Sequence, residues 1–271
     1  MRADLHMHSV YSDGKKTPQE LIEIIHEKGL DVVALTDHDS YLGIPEFELE
    51  AKKYGIRVIR GAEISSNIGS HPVHILTYFK GEIPSQVHAF CQEVKEKRRA
   101  RALKMAHLLE SEFNLKINFA KLEAFKGNLT RGNLYYAILE DNDVVDSQET
   151  FDKYLSSSSP AYIPSTEATP KEVYDFFRGF KCLIVIAHPM LYKKEVVDEI
   201  INYGFDGLEA YYPNYKYENE EYFLNLAKEH NMFVTAGSDF HKDDDHKHAP
   251  IATSTLSGEN LEIFLERLER L

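Results

Sequence analysis

Short apolar runs alternate with helix-patterned segments along most of this chain, and that alternation constrains its fold more than any other feature. The apolar runs predict strands over Ala3–His8, Val32–Thr36, Arg57–Ala62, Val73–Phe79, Leu183–Ala187, Gly207–Tyr211 and Phe233–Ala236. Helices are expected between them. Thr17–Lys28 opens with a Thr-Pro pair suited to an N-cap and first turn and stops at Gly29, and Ile44–Tyr54 stops at Gly55. Thr169–Gly179 repeats the Thr-Pro opening, and Tyr217–Asn231 and Gly258–Leu271 complete the set. Repeated βα units imply a largely parallel sheet, and 271 residues allow one large α/β barrel or two smaller domains. From about Gln86 to Ala161 the strands disappear and four helices are expected, over Val87–Glu112, Phe119–Phe125, Thr130–Asp141 and Glu149–Leu155. Residues 1–85 and 160–271 therefore read as the barrel, and 86–159 as a helical insertion of the kind that caps a barrel mouth.

The strand ends carry the chemistry. His6 and His8 are two residues apart on an extended chain, so both imidazoles leave one face. Asp13 follows in the next loop. Strand two runs into Asp37-His38-Asp39, strand three reaches Glu63, strand four carries His74, strand five runs into His188, strand six holds Glu209 and strand seven leads to Asp239 and His241. In a parallel barrel such positions converge on the C-terminal face, where these barrels place active sites. A lone His-x-His or a lone Glu63 would be an ordinary polar feature. Imidazoles or carboxylates at seven successive strand ends would repel and desolvate one another unless cations held them. Imidazole and carboxylate without thiolate suit Mn²⁺, Fe²⁺ or Zn²⁺.

Charge and composition narrow the function. The chain has 31 basic and 44 acidic side chains, a formal −13, which argues against stable wrapping of duplex nucleic acid but leaves room for a small anion held by metal ions. Two cysteines, Cys91 and Cys182, form no disulfide framework. No run of about 18 apolar residues predicts a membrane span, and the polar, His-rich start (MRADLHMHS) argues against a secretory leader, so the cytoplasm is the expected compartment. No Ser-His-Asp pattern or phosphate-cradling P-loop is present.

Within the insertion, Lys95–Lys104 is the one dense basic patch. Most of it reads as a solvated face, with Arg99 and Arg101 the candidates to turn inward and bind phosphate, and Arg131 a third. Tyr135, Tyr136 and Tyr162 have the residue type to stack on a base, but their spacing favours core packing. His246 and His248 fall in a charged stretch and read as solvated, His71 as a loop neighbour of His74, and His26, His88, His107 and His230 as structural.

The segments DLHMHSVYSDG, LTDHDS, GAEIS, HILTYF, IAHP, GLEAYY and GSDFH, in this order, resemble the polymerase and histidinol phosphatase (PHP) superfamily from Met1 to about Phe79 and from about Pro160 to His241. The resemblance implies an α/β fold, a distorted (β/α)₇ TIM-like barrel, and a hydrolase of phosphoric esters. The insertion resembles that of a stand-alone branch that includes phosphatases of 3′,5′-nucleotide bisphosphates and enzymes acting on the 5′ ends of short RNAs. The resemblance also implies a ligand map for two to three divalent ions. His6, His8, Glu63 and Asp239 hold the first, Glu63 bridges to a second held by His74 and His188, and Asp13, His38 and His241 hold the third. Relatives that cleave histidinol phosphate often carry histidine where this chain has Asp13, so the aspartate favours a nucleotide or short oligonucleotide substrate. A histidinol-phosphate-type phosphatase and a non-catalytic metal-bound regulatory module are the alternatives. The expected nucleophile is a water activated between two cations. Asp39 or a metal-bound water is expected to help the leaving group, and Asp37 to orient a ligand histidine from behind.

Overall fold

The computed structural model describes the chain except residues 70, 126–128, 166, 214–216 and 245–247, and except the side chains of 217–219. It divides into a barrel unit, Met1–Ala89 with Ala168–Leu271, and a helical unit, Phe90–Glu167.

The barrel unit is one eight-stranded sheet in the order β7-β6-β5-β4-β3-β2-β1-β8. The strands are β1 (Arg2–Asp4), β2 (Val32–Leu35), β3 (Arg57–Ile68), β4 (His71–Phe79), β5 (Cys182–Ile186), β6 (Gly207–Tyr211), β7 (Phe233–Ala236) and the short β8 (Leu256–Ser257). The sheet curls on itself beyond β1. Leu5 N–H donates to Ala236 O at 3.0 Å, His8 N–H donates to Phe240 O at 2.9 Å, and Met7 bridges Phe240 in parallel sense. Seven strands thus ring the barrel, and β8 lies antiparallel on β1.

The sheet is less parallel than the alternation suggested. β1–β2–β3 and β5–β6–β7 are parallel, but β4 is antiparallel to both its neighbours. Two residues separate Ile68 from His71, with Gly69 at φ +60°. A link that short closes a hairpin, whereas a parallel pair needs a crossover of a dozen or more residues. The reversal matters for the site, because it puts the start of β4 beside the C-terminal ends of the parallel strands. His74, near that start, faces Ser65 in register and so reaches the mouth.

The barrel's helices are α1 (Pro18–Glu27), α2 (Ile44–Lys52), α7 (Pro170–Phe177), α8 (Lys194–Ile200), α9 (Tyr217–Glu229) and α10 (Gly258–Glu269). α1 and α7 both start with a reciprocal capping box, Thr17 with Glu20 and Thr169 with Glu172, which satisfies backbone donors left open by the first turn. Their buried faces, Leu21, Ile22 and Ile25 on α1 and Phe47 on α2, pack on Val33 and Leu35 of β2 and on Met7 and Phe240. Each such side chain contributes about 1.5–3 kcal/mol on full burial. The helix α8 and the 3₁₀ turns at Pro189–Leu191 and Ile201–Tyr203 fill a segment for which the sequence reading offered no element.

The helical unit holds most of α3 (Ser85–Phe113) with α4 (Phe119–Ala124), α5 (Arg131–Asp141) and α6 (Gln148–Leu155). Its core is its own: Met105, Ala106, Leu109, Leu134, Ile138, Leu155 and Ala161 are all fully buried or nearly so. Among the described residues no helix is long and apolar enough to cross a membrane.

Candidate metal centre

Three of the converging strand ends hold their backbones in unusual conformations. Asp39, His188 and Asp239 have φ of 48°, 28° and 51°. That region costs a non-glycine residue of order 1–3 kcal/mol and persists only where surrounding contacts fix it. The contacts are present. Asp39 N–H donates to Glu63 O at 2.9 Å, His188 N–H to Glu209 Oε2 at 2.9 Å, and Asp239 N–H to His6 O at 2.8 Å. Gly237 permits the last approach, since a Cβ there would lie 2.2 Å from His6 Cβ.

Glu63 sits at the middle, nearly fully buried, with its two oxygens facing opposite sides. Oε1 lies 2.9 Å from His74 Nδ1 and 2.8 Å from His188 Nε2. Oε2 lies 3.3 Å from His6 Nε2, 3.1 Å from His8 Nε2 and 3.2 Å from His38 Nδ1. Asp239 Oδ1 closes the inner group, 3.3 Å from His6 Nε2 and 3.1 Å from His8 Nε2. Farther out, Asp13 approaches His8 Nδ1 at 3.6 Å, His38 Nε2 at 3.7 Å and His241 Nε2 at 3.4 Å. All nine residues singled out as ligands thus meet in one cluster. The donor atoms of eight of them form three overlapping groups: His6, His8, Glu63 and Asp239; His38, Glu63 and His74; His8, Asp13, His38 and His241. The ninth, His188, joins none of these and meets the cluster through Glu63 Oε1. His38 and His8 each belong to two groups, which the sequence-derived map did not anticipate.

The residues fit divalent ions. Donors around an ion at about 2.1 Å lie about 3.0–3.4 Å from one another, which is the spacing of His6, His8, Glu63 and Asp239. His6 Nε2, both ring nitrogens of His8 and Asp239 Oδ1 are buried yet make no hydrogen bond, an arrangement that costs free energy unless something else satisfies them. Electrostatics points the same way. Burial disfavours charging His6, but Glu209, Asp239 and Glu63 outweigh it and hold its pKa well above the usual histidine range. Burial likewise opposes protonation of His8, while Asp239 and Glu63 drive its pKa up to about 10. Glu63 and Asp239, though desolvated, are held well below the ordinary carboxylate range by the facing imidazoles. His38 is the exception, its pKa pushed down to about 3 by burial.

The supporting contacts correct one expectation. Asp37 orients no histidine. It accepts from Ser9 N–H at 2.8 Å, Ser9 Oγ at 2.7 Å and Ser12 Oγ at 2.6 Å, and so fixes the loop that carries Asp13. The carboxylate behind a ligand histidine is instead Glu209, whose two oxygens each lie 3.1 Å from His6 Nδ1, leaving Nε2 to face the cluster. His241 is aligned in the same way by Asp239 O, 2.8 Å from its Nδ1. Asp39 accepts from Ser65 N–H at 2.8 Å, and Tyr212 OH donates to Asp239 Oδ2 at 2.8 Å.

His248, expected in solvent, stacks on His241 at 4.0 Å and forms a further donor group with Asp239 and His241. His246 lies outside the described residues. His71 begins β4 and joins no donor group among the described residues.

In the helical unit, Arg99 donates to Glu123 O and Phe125 O, closing the end of α4, so its guanidinium is occupied by backbone carbonyls rather than turned toward an anion. Arg101 and Arg131 also donate to backbone carbonyls, Ile163 O at 2.8 Å and Leu155 O at 3.4 Å, and they converge over the Tyr162 ring at 5.6 and 5.9 Å. Tyr135 donates to Asp146 and Ser147 O and packs on the unit's core, while Tyr136 is exposed.

A barrel whose strand ends gather imidazoles and carboxylates around a shared glutamate defines a metal-dependent phosphoesterase, a hydrolase of phosphoric ester bonds. The chain belongs to the PHP domain family, which matches residues 4–189. It is 28% identical to a 5′-3′ exoribonuclease of Haemophilus influenzae over 88% of this chain and 89% of the relative. It is also 28% identical to a 3′,5′-nucleoside bisphosphate phosphatase of Chromobacterium violaceum, over 88% and 86% of the two chains. A solved structure from Bifidobacterium adolescentis, a candidate metal-dependent phosphoesterase, superposes with a TM-score of 0.80 at 25% identity, covering 98% of this chain and 96% of that one.

Proposed function

We propose that this chain hydrolyses a phosphate ester of a nucleotide, either a 3′,5′-bisphosphate or the 5′ end of a short RNA, using two to three ions of Mn²⁺, Fe²⁺ or Zn²⁺. The observation that carries the nucleotide reading is Asp13, a carboxylate within 3.4–3.7 Å of His8, His38 and His241 where a histidine would mark the histidinol-phosphate type. The likeness to an exoribonuclease and to a 3′,5′-nucleoside bisphosphate phosphatase supports it.

His6, His8, Glu63 and Asp239 would hold an innermost ion, His74 and His188 with Glu63 a second, and Asp13, His38 and His241 an outer one. Such ions supply a water of lowered pKa and neutralise charge developing on the phosphoryl group. Glu209 fixes the His6 ring, and Asp37 fixes the loop of Asp13. Asp39, next to His38 on the same strand end, or a metal-bound water would help the leaving oxygen. Arg101 and Arg131 are the anion-binding residues of the helical unit. Cys91 and Cys182, both buried, suit a reducing cytoplasm.

The test is phosphate release by Mn²⁺-loaded protein from adenosine 3′,5′-bisphosphate beside histidinol phosphate. Preference for the bisphosphate is expected; turnover of histidinol phosphate alone contradicts the nucleotide reading.

A further inference from the structure

A cleft of about 280 Å³ in the barrel unit is lined by Met190, Tyr192, Lys194, Val197, Tyr222 and Phe223. It is near the lower end of the size range of small-molecule sites. Its position ties it to the metal centre through one residue. Tyr192 OH accepts from His74 N–H at 2.9 Å, and the Tyr192 ring stands edge-on to His188 with 5.6 Å between centroids. Met190 follows His188 by two residues on the 3₁₀ turn that His188 opens. The wall of the cleft is therefore built from the same short segment that presents His188.

The lining selects the occupant. Three of the six residues are aromatic, and Tyr222 and Phe223 meet edge-to-face at 5.0 Å. Among the described lining residues the cation is Lys194, and it is paired with Asp198 at 2.7 Å one helical turn on. A flat, uncharged, aromatic group on a substrate whose phosphate is held at the metal centre matches these walls, and Tyr192, which borders both the cleft and the His188 ring, links the two. Resting on the nucleotide reading above, we infer that this cleft binds the nucleobase of the substrate, with Tyr222 and Tyr192 as its aromatic platform. Tyr222 is 43% exposed, so its side chain is available to a ligand and can be removed without opening the core.

Base–aromatic stacking on a platform of this kind corresponds to roughly a tenfold effect on binding when the ring is removed. The experiment compares wild type, Tyr222→Ala and Tyr222→Phe. The expected result for Tyr222→Ala is a KM for adenosine 3′,5′-bisphosphate raised roughly tenfold with kcat nearly unchanged, and restoration by Tyr222→Phe, which keeps the ring. Binding of adenosine itself, followed by saturation transfer from protein to the base protons, is expected in wild type and lost in Tyr222→Ala. An unchanged KM together with unchanged transfer from Tyr222→Ala overturns the cleft assignment while leaving the nucleotide reading intact. Turnover of histidinol phosphate with none of the bisphosphate, and no transfer to adenosine, overturns both.

Discussion

Glu209→Gln isolates the role of a carboxylate that touches no expected ion. Glutamine keeps the volume of this fully buried side chain and removes its charge. In the native arrangement two donors converge on the carboxylate, the His6 ring through Nδ1 at 3.1 Å and His188 N–H at 2.9 Å. An amide offers one oxygen and one NH₂, so one of the two donors would face another donor. After burial, Glu209 is also the largest influence on the His6 pKa, and its loss makes that imidazole a weaker base and a weaker ligand. Removing a carboxylate that orients a metal-binding histidine costs 10–100-fold in affinity or activity. That range equals about 1.4–2.7 kcal/mol at 1.36 kcal/mol per tenfold. The assay is metal affinity by chelator competition, with kcat/KM on the bisphosphate and a thermal melt as the control for folding. The expected result is a loss of affinity in that range with the melting temperature nearly unchanged. Affinity and kcat/KM within about twofold of wild type would refute the reasoning and reduce Glu209 to packing.

Other outcomes follow from the same geometry. His8→Ala and Asp239→Ala should each abolish turnover and lower the metal content per chain, read by elemental analysis, because both face the innermost position with buried donors. Arg131→Ala should mainly raise KM, by up to about tenfold, with kcat little changed in steady-state kinetics, since a phosphate contact removed from the ground and transition states alike acts on binding. Metal uptake should release protons. Histidine binds a cation only when neutral, and the facing carboxylates hold His8 protonated up to about pH 10, so affinity should rise with pH through the neutral range. Calorimetric titration in two buffers of different ionisation enthalpy should show net release, and identical heats would contradict it. Thr17→Ala should lower stability by about 1 kcal/mol through loss of the α1 capping box, measured by urea denaturation.

The barrel was legible because buried strands have to be apolar runs and their helices carried capping signals, as Thr17-Pro18 and Thr169-Pro170 show. The nine proposed ligands were legible because most of them lie on or just after an apolar strand run, where a barrel has one place to direct them, and Asp13 follows in the loop after the first. What escaped depended on geometry that spacing does not encode. The reversed β4 follows from a two-residue link that sequence alone did not separate from a longer crossover. α8 is only seven residues long, too short for a helical period to register. Glu209 and Asp37 share the chemistry of the ligands, and only their partners show that one supports His6 and the other the Asp13 loop. Arg99 and Arg101 looked equal on the helix, and the carbonyls they meet, 24 and 26 residues away for Arg99 and 62 for Arg101, are partners that spacing does not encode. His248 came from a charged loop with no periodic pattern to place it against His241.

The central claim is that Glu63 joins ions on its two sides into one hydrolytic centre, with Oε1 facing His74 and His188 and Oε2 facing His6, His8 and His38. Its most direct test is the number of ions per chain in wild type and Glu63→Ala, counted alongside phosphate release from adenosine 3′,5′-bisphosphate. Two to three ions in wild type, a loss of more than one in the variant and no phosphate release from it are the predicted result. A variant that keeps its full metal complement, or that loses it and still turns over substrate, would contradict the account.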